Sequence, residues 1–110
     1  MIYTQEQHND CTIIRFQEKR IDVLVAQELK TELLKLFDTG EKRLGLDLSN
    51  VTFVDSSGLG ALVAVLKKAR PEGALCLWGL TPEVKSLFEL TQLYKVFDIY
   101  ELEQDALSRC

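Results

Sequence analysis

Six consecutive residues, Asp55-Ser56-Ser57-Gly58-Leu59-Gly60, gather most of the reactive chemistry of this chain. They offer two hydroxyls, one carboxylate and glycine backbone between an apolar stretch and a helical pattern. A serine becomes a nucleophile only beside a base, and a hydrolase elbow needs glycine two residues before it and a histidine partner. Val54-Asp55-Ser56-Ser57-Gly58 lacks that first glycine, and the only histidine, His8, is remote in sequence. There is no GxxxxGK[ST] or GxGxxG phosphate cradle, and Gly58-Leu59-Gly60 is too short to replace one. Taken on their residues alone, these serines read as helix-cap residues rather than nucleophiles. Set at a helix start, a hydroxyl there would tolerate an added phosphate, because free N–H groups and the helix dipole face it.

The remaining reactive groups are few. His8 reads as an exposed surface residue, and one histidine excludes a multi-histidine metal site. Cys11, Cys76 and Cys110 are odd in number, with no CxxC pair, which argues against zinc and thioredoxin-type chemistry. Cys11 and Cys76 lie in apolar runs and read as small core residues, Cys110 as an exposed free thiol; three unpaired thiols suit a reducing compartment. Thirteen basic against seventeen acidic residues leave a net charge of −4, which disfavours nucleic acid or an anionic membrane as partner. There is no signal-peptide pattern at the N-terminus and no apolar run long enough to span a bilayer, so a cytoplasmic location is expected. No metal or cofactor is expected.

The elements that must position the serines follow from periodicity. Residues 2–7 and 11–17 read as strands joined at Asn9-Asp10, with Ile14 and Phe16 on one face and Ile13 and Arg15 on the other. From about Leu24 to Asp38, Val25, Leu29, Leu33, Leu36 and Phe37 form one apolar stripe, with Asp22 placed to cap the helix and Thr39-Gly40 to end it. Residues 44–48 form a buried strand. A second helix, about Ser57 to Ala69, carries Leu59, Leu62, Val63 and Leu66 on one face, with Ser56 or Ser57 as its cap. Residues 74–78 form another buried strand. Thr81-Pro82 starts a third helix to about Leu93, with Val84, Leu87, Phe88 and Thr91 inward. A strand over 96–100 and a short helix over 102–107 complete the pattern. The fold class is α/β: one domain over residues 1–110, a mainly parallel sheet of four to five strands with an N-terminal hairpin, covered by about four helices.

With these elements in place, Asp55-Ser56-Ser57-Gly58-Leu59-Gly60 resembles, at every position, the D-S-[ST]-G-L-G phosphorylation motif of STAS domains, specifically the single-domain anti-sigma-factor antagonists. The likeness runs along nearly the whole chain. Ile21-Asp22 stands where the family has Leu-Asp before its first helix, and residues 82–88 with Leu90-Thr91 resemble its third helix. Two departures stand out: Lys19-Arg20 replaces the usual Gly-Glu, and Gln92 stands where the family usually has glycine.

The resemblance implies partner switching. An unphosphorylated antagonist binds an anti-sigma factor that is also a serine kinase, and so frees that kinase's client. Phosphorylation breaks the complex, and a PP2C-type serine phosphatase restores it. By position in the motif Ser56 would be the acceptor, with Ser57 its rival. Asp22, Asp55, Ser57, Gly58 and Leu59 would lie on the partner-binding surface. The family's single-domain members are expected to be monomers when free. The alternative is a constitutive STAS interaction module of a signalling or transport complex, in which the serine is never modified. Taken without the family, Ser56 is an ordinary capping serine, Asp22 a helix cap and Asp55 a loop carboxylate.

Overall fold

The computed structural model describes residues 1–110. The chain runs β1 (Tyr3–His8), β2 (Cys11–Phe16), β3 (Arg20–Ile21), α1 (Val23–Asp38), β4 (Arg43–Asp47), β5 (Phe53–Val54), α2 (Ser56–Ala69), β6 (Ala74–Trp78), α3 (Pro82–Leu90), β7 (Asp98–Tyr100) and α4 (Glu103–Arg109), with a 3-10 turn at Leu93–Lys95. The main sheet has the order β1-β2-β4-β6-β7. Its first pair is an antiparallel hairpin, with Asn9 at the tip in the left-handed region (φ 54°), which asparagine tolerates. All other pairs in it are parallel.

The strands alternate as their side chains require. Ile14, Phe16, Leu44, Leu46, Leu75 and Leu77 turn to the inner face and pack with Leu29 and Leu33 of α1, Leu62, Val65 and Leu66 of α2, and Phe88 of α3. The Phe88 ring meets that of Phe97 edge-on at 5.4 Å between centroids. The outer face is narrower. Ile13, Cys76 and Trp78 meet Ala106 of α4, and the Trp78 ring lies so close over Gly45 that a Cβ there would have no room.

Three expectations need correction at the level of the fold, and one pair of strands was not expected. Thr91 does not face inward: it is exposed and is the C-cap of α3, which ends at Leu90, its hydroxyl returning to the Leu87 carbonyl at 2.8 Å. Val96 lies outside β7 and is exposed. Cys110 is not a free thiol: its sulfur is bonded to that of Cys76, with 6.1 Å between the Cα atoms. The pairing had no local signal, because it joins positions 34 residues apart. Finally, β3 and β5 form a separate two-stranded parallel ribbon that periodicity cannot reveal, since two residues show no period.

Candidate functional site

That ribbon organises the site. Arg20 pairs with Phe53 and Ile21 with Val54, and the Thr52 amide donates to the Lys19 carbonyl at 2.8 Å. One residue further on, each strand turns into a helix. Asp22 accepts from the Val25 amide at 3.2 Å and caps α1; Asp55 accepts from the Gly58 amide at 2.9 Å and caps α2. The Asp55 amide donates back to the Ile21 carbonyl at 3.3 Å, which fixes the two turns side by side. Two helix N-termini thus open at one end of the molecule, each already carrying a carboxylate.

Asp22 caps α1 as its position in the sequence predicts. For α2 the outcome differs: the cap is Asp55, and Ser56 and Ser57 are the first two helical residues. The reason is geometric. Asp55 is the residue with extended backbone (φ −92°, ψ −176°), and its carboxylate reaches the amide three residues on. Ser56 and Ser57 are therefore released from capping; both are exposed. Their backbone amides face outward, as the first N–H groups of any helix do.

Gly58 and Gly60, alike in sequence, differ in role. Gly58 is buried, and a Cβ there would lie 2.7 Å from both the Ile21 carbonyl oxygen and Val54 Cγ1, so only glycine lets α2 approach the ribbon. A Cβ at Gly60 would meet nothing. Gly60 instead floors a shallow depression of about 430 Å³ between α1 and α2, lined also by Val23, Ala26, Lys30 and Ser57. Leu59 is half-buried against the core, as is Val63.

Sequence reasoning missed the apolar rim of this end. Val23 and Leu24 are 60% and 70% exposed, and Phe53 is 39% exposed under the Arg20 guanidinium, 4.1 Å from the ring centroid. The signal was available in part: Val23 and Leu24 precede the α1 stripe and lie off its buried face. Lys19-Arg20 and Phe53 become neighbours only through the ribbon. No group of three or more His, Cys, Asp or Glu side chains is placed to hold a metal ion.

A five-stranded sheet backed by helices, with an exposed serine pair at the start of α2 and exposed apolar residues at Val23, Leu24 and Phe53, defines a small α/β domain. The chain belongs to the STAS domain family, whose model matches residues 3–106. The anti-sigma-B factor antagonist of Listeria monocytogenes is 34% identical over 90 residues, covering 80% of this chain and 78% of that protein. BtrV of Bordetella bronchiseptica, an anti-sigma factor antagonist by name, is 35% identical over 75 residues; the match covers 67% of this chain and 65%, just under two thirds, of BtrV. Among solved structures, an anti-sigma factor antagonist from Mycobacterium paratuberculosis superposes with a TM-score of 0.87 at 27% identity, covering 97% of this chain and 91% of its own. SpoIIAA, solved in phosphorylated form, shares the fold at 17% identity and a TM-score of 0.74, with 98% of each chain covered.

Proposed function

We propose that this chain is an anti-sigma-factor antagonist working by partner switching, with Ser56 as its phosphoacceptor. Unphosphorylated, it binds an anti-sigma factor that is also a serine kinase and frees that factor's client; phosphorylated, it lets go; a PP2C-type serine phosphatase resets it. It works in the cytoplasm, as one domain and as a monomer when free. The observation that carries the reading is the position of Ser56: first residue of α2, exposed, and relieved of capping by Asp55. Such a hydroxyl can enter a kinase active site without unfolding the helix. The relatives named as anti-sigma-B factor antagonists support the partner class, and SpoIIAA, known in both phosphorylation states, supports the type of modification.

Phosphorylation would add about −1.5 to −2 charges at neutral pH beside the Asp55 carboxylate. The dipole of α2 accepts that charge within the domain, so the fold need not change. A docked partner would have to desolvate it against the apolar rim of Val23, Leu24 and Phe53, and that cost separates the two proteins. Reversing a 99:1 complex takes about 5.5 kcal/mol, within reach of a doubly charged group buried at an interface.

The test is incubation with Mg-ATP and the kinase encoded beside it, followed by peptide mapping. A gain of about 80 Da on Ser56, absent from Ser56→Ala, together with loss of kinase binding, is the expected result. Kinase binding by Ser56→Asp as tight as by Ser56→Ala would overturn the switch. No modification at either serine would leave a constitutive interaction module.

A further inference from the structure

The outer face of the sheet carries a second device, remote from Ser56. We propose that the Cys76–Cys110 bond is a redox-operated latch: thiol reductants open it and release α4 from the sheet, and low-molecular-weight disulfides close it again. The family model matches residues 3–106, and Cys110 lies beyond that match.

α4 has only seven residues and no side-chain cap at Leu102, too little to hold its own helical form. Its attachments are few. Ala106 and Leu107 pack on Ile13 and Trp78, Glu103 forms a two-pronged pair with Arg15, and the Cys76–Cys110 bond is the one covalent tie. The inner face, by contrast, is held by three long helices and the main core. Loss of the bond therefore loosens α4 locally and leaves α1, α2 and the ribbon in place.

The bond is built to be attacked from one side. Cys76 is fully buried, whereas Cys110 is half-exposed at the end of α4. An incoming thiolate meets the Cys110 sulfur, forms a mixed disulfide with it, and the Cys76 sulfur leaves with the electron pair and takes up a proton. A second thiol attacks the mixed disulfide, frees Cys110 as a thiol and departs as the oxidised dimer. Two reductant thiols become one disulfide, and one protein disulfide becomes two thiols. The closing step is the same exchange in reverse. Cys11, buried against Gly45 and kept protonated by its burial, is left out of the exchange. In a reducing compartment, where the proposed function places this chain, a disulfide is one that opens and closes rather than a permanent staple. The latch does not depend on Ser56 being modified.

The full chain, equilibrated with oxidised or with reduced glutathione, tests this. After denaturation without reductant, the oxidised sample should take up one alkyl label and the reduced sample three, since the chain has three cysteines. In native hydrogen exchange, amides of 103–110 should lose protection on reduction by a factor on the order of ten, while those of α1 and α2 keep theirs. Trp78, the only tryptophan, should become more open to acrylamide quenching at the same time. Cys110→Ser, at a position outside the main core, should match the reduced state in exchange and quenching in both buffers, and take up two labels in each. Three labels on the sample held in oxidised glutathione, or equal protection of α4 in both redox states, would overturn the latch.

Discussion

Asp22 and Asp55 are structural counterparts: each stands one residue beyond a paired position of the β3–β5 ribbon, Ile21 and Val54, and each caps the helix that follows. The pair ties the first turns of α1 and α2 to one small ribbon and leaves the serines of α2 free. Removing either cap should therefore be felt at the serine site. Asp55→Ala should cost about 1 kcal/mol, within the ~0.5–2 kcal/mol range of lost caps, and Asp55→Asn nearly nothing, measured by urea unfolding. Asp55→Asn then isolates the carboxylate's charge: the phosphorylated variant should hold the partner more tightly than phosphorylated wild type does.

The two motif glycines should respond in opposite directions. Gly58→Ala drives a methyl group into the Ile21 carbonyl and Val54, and should destabilise by about 2 kcal/mol or more despite alanine's better helix propensity. Gly60→Ala has open space and should stabilise by up to ~1 kcal/mol. Calorimetry gives both signs. If the depression at Gly60 receives a partner side chain, Gly60→Ala should also weaken kinase binding while the protein itself becomes more stable.

The exposed rim makes a third test. Val23→Ser and Leu24→Ser remove exposed apolar surface and should change stability by no more than ~0.5 kcal/mol. Their effect should fall on association instead, with kinase affinity lowered several-fold in isothermal titration. Unchanged affinity in both variants would place the docking surface elsewhere.

Gln92 holds a left-handed backbone conformation (φ 60°) after α3, where glycine would be unstrained. Gln92→Gly should therefore stabilise the domain by about 0.5–1 kcal/mol in thermal melts. The departure from the family pattern that stood out in sequence thus costs conformational strain, against which the Gln92 side chain gains one exposed hydrogen bond, accepted from Lys95 at 3.2 Å.

Arg15 joins Glu103, Asp47 and Glu6 on the outer face. Glu103 sits below the usual carboxylate range chiefly because it accepts from Arg15. Burial pushes Asp47 up, but hydrogen bonds from Ser49 and Arg15 outweigh it and leave Asp47 low as well. Unfolded, both carboxyls return to ordinary values near ~4, so the unfolded chain binds more protons in that range. The stability they add is complete above those unfolded values and is lost as pH falls through the lower folded ones. Glu103→Gln should cost about 1 kcal/mol at neutral pH and flatten the acid limb of a stability–pH curve.

Much of this protein could be read from its residues in order. The alternation of 11–17, the stripe of α1 and the Thr81-Pro82 start of α3 are local signals, because each element's period and cap lie within its own stretch of chain. The six-residue serine motif was equally legible, and with it the family. What only the tertiary structure decided are relations between distant stretches. The β3–β5 ribbon pairs residues more than thirty positions apart, and it is the ribbon that turns Asp55 into the cap and frees Ser56. The Cys76–Cys110 bond spans a similar separation and has no pattern along the chain. The difference between Gly58 and Gly60 is likewise set by the neighbour each faces, Ile21 or open space. A periodic pattern specifies which face of an element seeks cover; which other element supplies that cover is settled only when the whole chain packs.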